Sequence, residues 1–576
     1  MMKTKNRIQI AVLLVLATFG SCTKLDRELE TDLNLQQVEG SFPNVQNMLN
    51  GVYAELREGF LEISGDAMMA STTDEAEHTI ETSSVQAINQ GAWNAFTNPA
   101  DVWTPYFRAI RKANFFLQTA NPVKINLDAF KTDLTTYGQK LAEVGRWRYE
   151  ARFLRAFFYF ELIKRHGGVP LTTVPLSEAD IAGAQRSTLQ QCIQFVSDEC
   201  DSAALNLPLV YPAGEIGRAT RGAALALKSR LLLYAASDLF NTPSWAAGYA
   251  DPGLISLPVG DRAARWKAAA DAAKAVIDLA GSGYALAPNY RTLFTTFTGT
   301  SAPEIIFTRR NAASNAFEII NFPVGYDRGN SGTTPTQDLV DAFEVKVSAT
   351  SAIPFDWNNP VHAASPYANR DPRLALSVVT NASSFNGSGT NRPVETFPGG
   401  KDAQPIPNAT KTGYYLRKYV AEGTNLTNNT GSAIHSWIYF RLAEIYLNYA
   451  EALNEYAPGS PDIKRYYDLV RNRTGVTMPL LPAGSQSEVR QRIRNERRVE
   501  LAFEDHRAWD VRRWMIAPET LGASVRGVNV TKTGTTTFTY APFTLEPRAF
   551  QPKMYLFPIP QTDLNIARAL KQNPLW

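Results

Sequence analysis

His435–Tyr456 reads HSWIYFRLAEIYLNYAEALNEY, and its periodicity points to the fold class. From Ser436 to Glu455 the run predicts one helix. Leu442, Ile445, Tyr446, Tyr449 and Leu453 recur at three- and four-residue steps and form one apolar stripe. Leu and Ala favour helix, and no Gly or Pro intervenes before Pro458 and Gly459. Tyr439-x-x-Leu442-Ala443-x-x-Tyr446 has the large, small, tyrosine spacing of the first helix of a tetratricopeptide repeat. The small residue lets a partner helix approach, and the tyrosine fills the gap a turn later.

The same feature recurs upstream. Ala156-x-x-Tyr159 lies in a helix expected over Ala142–Arg165, which stops at His166-Gly167-Gly168-Val169-Pro170. Leu231-x-x-Tyr234 lies in Thr220–Phe240. Further helices are expected at Phe42–Arg57, after Asp101 as N-cap, at Leu189–Leu205, Trp266–Leu279, Asp462–Arg473 and Ser487–Trp514. Three helices with one motif argue for stacked hairpins. The chain is therefore expected to be mainly α. Residues 64–100 are polar and aperiodic, and 289–430 is a long Gly-, Pro-, Asn- and Ser-rich insertion with short β-like pieces. Residues 525–550 read as a Thr-rich hairpin or lid.

Composition excludes some functions. Of 576 residues, 44% are hydrophobic and 20% charged, as in an ordinary globular protein. The +3 formal charge comes from Lys3, Lys5 and Arg7, and without them 55 basic residues face 55 acidic ones. A neutral chain has no electrostatic footprint for nucleic acid. Those three cations precede the apolar run Ile10–Ala17 and then Phe19-Gly20-Ser21-Cys22, which resembles a lipoprotein cleavage box with Cys22 as the lipidated residue. Phe19 departs from the aliphatic residue usual there. The acidic flank Asp26 and Glu28 resembles a surface-export signal. Cys192 and Cys200 lie on one expected helix, roughly 12 Å apart at 1.5 Å per residue, too far for a disulfide.

Several blocks together resemble the SusD/RagB family of outer-membrane nutrient-binding lipoproteins. They are Cys22 with its signal, Gly217–Ala236, Arg370-Asp-Pro-Arg-Leu374, Tyr414-Tyr-Leu-Arg-Lys418, Tyr439–Tyr446, Ile493–Trp514, Leu556-Phe-Pro-Ile-Pro560 and Gln572-Asn-Pro574. The resemblance implies about four tetratricopeptide-like hairpins bearing a loop-rich, partly β ligand-binding region. It implies a signal peptide at 1–21, a helical region at 22–285 and a region at 286–576 that holds the 289–430 insertion. It also implies a SusC-like TonB-dependent transporter as partner, and an outer-membrane, lipid-anchored and surface-exposed location.

No catalytic signature accompanies these blocks. Glu496, Glu500 and Glu504 share a helix face, which a paired-carboxylate glycosidase could use. Arg494, Arg497, Arg498, Arg507, Arg512 and Arg513 surround them, favour an ion-paired face and depress carboxylate pKa values, the wrong direction for a general acid. His78, His166, His362, His435 and His506 are scattered, and no zinc, calcium-loop, G-x-S-x-G or phosphate-loop motif occurs. No cofactor is expected, and a bound Ca²⁺ stays open.

Ligand capture then falls to loop aromatics. A flat ring covers the C–H face of a sugar while Asn, Asp and Arg bond its hydroxyl rim. Trp93, Phe96, Asp74, Trp245, Tyr249, Tyr326, Arg328 and Trp357 are the candidates, Trp93 first, and Trp103, Trp437 and Trp509 are expected in the core. The expected function is capture of an oligosaccharide for a transporter. A peptide ligand is the alternative within the family, and a hydrolase or a pure protein scaffold stands further off.

Overall fold

The computed structural model describes residues 34–130, 132–279, 281–295 and 302–576. Cys22 and the leader lie outside them. The main helices are α1 Leu35–Gly40, α2 Phe42–Tyr53, α3 Trp103–Thr119, α4 Leu134–His166, α5 Leu189–Asn206, α6 Arg221–Ala236 and α7 Arg262–Ile277. After the insertion come α8 Leu442–Tyr456, α9 Pro461–Arg471, α10 Gln486–Glu500 and α11 His506–Arg513. Helices α3 to α8 pack each on the next, and α9 and α10 close the stack against α8. This is the expected array of helical hairpins. Capping differs from expectation at α3, where Val102 is the N-cap and Asp101, one residue earlier, accepts the Trp103 N–H at 3.2 Å, while Ser485 with Glu488 forms a capping box on α10.

The stretch that suggested the fold is only partly helix. Ser436–Arg441 is a strand, β2, paired antiparallel with β1, Ile305–Arg310, so that Trp437 faces Arg309 and Ile438 faces Thr308. Aromatic and β-branched residues in Trp437–Phe440 suit a pleated surface. The partner strand lies about 130 residues upstream, where helical periodicity cannot register it. Tyr439 is therefore a strand residue, and the helix begins at Leu442. Gly59 makes room for this strand. It has φ +86°, and a Cβ there would lie 2.0 Å from the Trp437 ring. The expected helix over Ser487–Trp514 is also broken. Phe503 and Asp505 adopt left-handed φ near +62° and +63°, which turns α11 away from α10.

Two apolar cores result. One runs through the helical array from Val45 to Ile559 and includes Trp147, Phe158, Leu227, Ile445 and Trp509. The other fills the loop-rich lobe with Phe322, Val378, Phe385, Tyr414, Tyr415 and Val528. The first core spans the 285/286 boundary, because α8 packs on α7 across the insertion. One core thus belongs to the helical frame and the other to the loop-rich lobe.

An ionic cluster joins frame to lobe. Arg441 bonds Glu500 and Glu504 at 2.7 Å each and Glu304 at 2.8 Å. Arg373 bonds Glu496 at 2.5 Å, Glu500 at 2.8 Å and Asp371 at 2.7 Å. Arg473 bonds Glu304 and Glu500, and Lys418 bonds Glu504 at 2.6 Å. All of these side chains are buried. Four of the recognised sequence blocks, those containing Arg373, Lys418, Arg441 and Glu500, converge here. The partners of the glutamate face were expected on its own helix, yet they come from four other segments, at Arg373, Lys418, Arg441 and Arg473. Arg497 and Arg513 turn the opposite way, to Asp510 and Glu451.

Candidate ligand-binding face

The loop-rich lobe presents a row of half-buried aromatic rings. At one end Phe355 and Trp357 lie 5.1 Å apart, with His362 stacked on Phe355 at 5.3 Å. In the middle Tyr367 meets Tyr540 edge-on at 5.2 Å. At the other end Phe397 and Phe538 lie 5.5 Å apart, with the Lys532 ammonium 4.8 Å from the Phe397 ring centre. Phe538 and Tyr540 are two apart on one strand, so they share a face at roughly 7 Å spacing. The exposed residues Asp356, Asn358, Lys532 and Thr539 sit beside these rings.

Each part of the row is fixed by bonds behind it. Strands β3, Val525–Lys532, and β4, Phe538–Glu546, form the expected hairpin. Val528 and Val530 are buried in the second core, and Val528 N–H donates to Thr412 O at 2.9 Å. Arg526 bridges Asp338 at 2.6 Å and Asp341 at 2.8 Å, tying the hairpin to the helix Gln337–Ala342. A Cβ on Gly527 would lie 2.8 Å from the Phe543 ring, so the glycine sets how closely the two strands pack. The 354–367 loop is held by Arg370, which covers Phe355 at 4.2 Å and donates to Phe343 O at 2.8 Å and Pro366 O at 2.6 Å. Asp356 N–H donates to His362 Nδ1 at 3.1 Å, and Asp356 Oδ1 accepts the Asn358 N–H at 2.9 Å. Burial raises the Tyr540 phenol pKa. A row so held can stack on flat ligand faces without first being ordered.

Of the residues singled out from sequence, Trp357 belongs to this row. Trp93 does not present a face. It is 3% exposed, wedged 5.0 Å from Phe557 and 4.8 Å from Trp576. Trp245 packs on Tyr555, and Tyr249 Oη donates to Gln572 O at 2.7 Å. These three aromatics from two loops thus line the path of the C-terminal segment. Tyr326 is also buried. Its hydroxyl donates to Phe385 O and Arg392 O, and Arg392 covers its ring at 4.2 Å. Arg328 is exposed with φ +58°. Asp74 is locked between Arg498 and Arg507 at 2.7 Å each. Burial would raise its carboxyl pKa, but the two guanidinium groups outweigh burial and hold it well below the usual range. Phe96 is 77% exposed, apart from the row. Five members of the row, Phe355, Tyr367, Phe397, Phe538 and Tyr540, escaped the sequence reading. Phe538-Thr539-Tyr540 carried a signal, since period-two aromatics in a hairpin share one face.

Glu500 and Glu504 of the glutamate face are not poised acids. Burial pushes the Glu500 carboxyl up, but Arg441, Arg473 and Arg373 more than offset this and hold it well below the usual carboxylate range. Glu504 is lowered in the same way by Arg441 and Lys418 against its burial. Among the described residues no group of three or more His, Cys, Asp or Glu is placed to hold a metal ion. No helix among them is long and apolar enough to cross a membrane.

A helical-repeat frame that carries an aromatic face on a loop-rich lobe, with Glu496, Glu500 and Glu504 held in ion pairs, is the architecture of a SusD-type protein. The comparisons agree. A model described as the SusD family matches residues 303–576, and one described as "Starch-binding associating with outer membrane" matches 25–233. The chain belongs to the SusD/RagB family. It is 23% identical over 547 residues to SusD-like protein P25 of Formosa agariphila, covering 89% of this chain and 90% of that one. A SusD-like protein from Bacteroides fragilis, solved by crystallography, is 28% identical with a TM-score of 0.75, covering 94% of this chain and 98% of that one. A SusD-like carbohydrate-binding protein from the same organism is 27% identical with a TM-score of 0.73, covering 93% and 100%.

Proposed function

We propose that the chain is a non-catalytic binding protein, lipid-anchored at Cys22 in the outer membrane and exposed at the cell surface. It captures an oligosaccharide on the Trp357–Tyr367–Tyr540–Phe538–Phe397 row and passes it to a SusC-like TonB-dependent transporter. The observation that carries this is the row itself, a set of partly buried ring pairs on one lobe with hydrogen-bonding groups beside them. A sugar chain offers alternating C–H faces and hydroxyl rims to such a surface. A relative of known structure that is named for carbohydrate binding supports the same ligand class.

Isothermal titration against a glycan panel tests it. Binding to one glycan class is expected, with affinity lost in Tyr540→Ala and Trp357→Ala. Binding only to peptides would replace the ligand class, and product release from a glycan would overturn the non-catalytic part.

A further inference from the structure

One corner of the molecule exposes aliphatic side chains where polar ones would be expected. Val123 is 80% and Leu134 65% exposed, and Leu35 and Leu127 are each about half exposed. They belong to three segments bound together. Asn126 N–H donates to Gly40 O at 2.9 Å, and Lys124 pairs with Glu39 at 2.7 Å, which fixes α1 to the 122–130 segment. Tyr137 Oη donates to Ile125 O at 3.1 Å, and Phe130 lies 5.7 Å from Tyr137, which fixes that segment to the start of α4. The inward side chains here, Ile125 and Trp147, are buried in the first core, so the outward ones are surplus to folding. Apolar side chains gathered from three elements mark an interaction surface more than scattered single ones do.

The length of chain before this corner identifies the occupant. Twelve residues separate Cys22 from Leu35. Fully extended, that tether reaches at most about 45 Å. A domain of this size is roughly 60 Å across. The α1 corner is therefore held within about 45 Å of a bilayer to which Cys22 is attached, less than the width of the molecule.

We propose that Leu35, Val123, Leu127 and Leu134 rest in the lipid interface and set the tilt of the protein on the membrane. This rests on the reading of Cys22 as the lipidated residue. The aliphatic side chains would enter the headgroup and acyl boundary, as on the apolar face of an interfacial helix. The tilt would present the aromatic row in a fixed direction relative to the membrane.

Hydrogen exchange tests the contact. The full chain, lipidated and bound to phosphatidylethanolamine–phosphatidylglycerol vesicles, is compared with the Cys22→Ser chain in the same suspension. Amides of 35–40 and 121–130 should exchange at least about fivefold more slowly on the vesicle, and those around Val259 should not change. A paired Val123→Glu, Leu134→Glu variant should lose this slowing while its melting temperature stays put, because both side chains are exposed. Equal exchange in the two chains, or slowing on another face, overturns the proposal. Intact mass reports separately whether Cys22 carries acyl chains. If it carries none, its thiol is coupled to a maleimide lipid and the exchange is read again, so failure of the anchor and failure of the contact give different results.

Discussion

The ionic cluster and the aromatic row are both assembled from distant parts of the chain, and they differ in what reaches solvent. Arg441, Arg373, Glu500 and Glu504 are buried and bonded to one another, whereas Tyr540, Tyr367, Trp357 and Phe538 are only partly buried. The cluster has the residue types of an active site and the geometry of a clamp. The row has residue types that usually build cores, yet it lies where a ligand can reach it. In this fold, dense charge marks the joint between frame and lobe, and function falls to weakly patterned loop and hairpin residues.

The largest effect should come from breaking the clamp. Glu500→Gln leaves Arg441, Arg473 and Arg373 sharing one carboxylate fewer in a buried site, and such a loss costs about 3–5 kcal/mol. Denaturant titration should show an unfolding free energy lower by that size, and a change below about 1 kcal/mol would remove the clamp from the comparison. Trp93→Ala follows, at about 3–5 kcal/mol for an aromatic cut from a packed core. Glycan affinity per folded molecule should stay at the parental value, since the ring faces Phe557 and Trp576.

Acid separates the two regions without mutation. Burial raises the Glu161 carboxyl, but Lys164 and Arg165 bring it down to about 2, and Arg513 brings Glu451 to about 2 against its burial. Both folded values lie below the ordinary 4.5. Their stabilisation is therefore complete above that pH and disappears as pH falls from there toward 2. Glu75 runs the other way. Burial raises it to about 8, so its contribution declines as pH rises from 4.5 to 8. The melting temperature should fall steeply below pH 4.5, while glycan affinity per folded molecule should not follow that fall, because the Glu161 and Glu451 carboxyls lie outside the row. An affinity loss that tracks the melting temperature would place one of these carboxyls in the site.

The frame was more legible than the face, for physical reasons. Helical periodicity is local, so α3 to α9 are visible in the stripes of Phe107 and Ile110, Ala156 and Tyr159, or Ile445 and Leu453. Strand β2 hid inside a helical pattern because its pairing partner lies across an insertion. The clamp was half visible: the spacing of Glu496, Glu500 and Glu504 placed one face, but Arg373, Lys418 and Arg441 reach it only through tertiary structure. The face was least legible. Trp93 and Tyr326 lie in polar loops that suggest exposure, and both are buried by the C-terminal segment or by Arg392. Burial of an aromatic depends on what crosses over it, and nothing local records that.

The row itself should respond modestly. Tyr540→Ala removes one ring from between Tyr367 and the Phe538 end, and a loss of about 1.4 kcal/mol is tenfold in affinity. Stability should change little, since the ring is half exposed and the hairpin is held by Arg526 and Val528.

The smallest effect is expected at Phe96, and it discriminates most sharply between exposure and function. Its ring is more exposed than any in the row, yet no aromatic among the described residues stacks with it. The turn beneath it is fixed by main-chain bonds, with Asn94 Oδ1 accepting the Phe96 N–H at 2.8 Å and Ala95 O accepting the Gln561 N–H at 3.0 Å. Phe96→Ala should therefore alter stability by no more than about 0.5 kcal/mol. A single ring without a second wall buries little of a ligand, so glycan affinity should also stay at the parental value. If Phe96→Ala instead weakened binding as much as Tyr540→Ala, the ligand would lie across the C-terminal segment beside Trp93 and Trp576. Exposure, and not the fixed row, would then be what marks the site in this lobe.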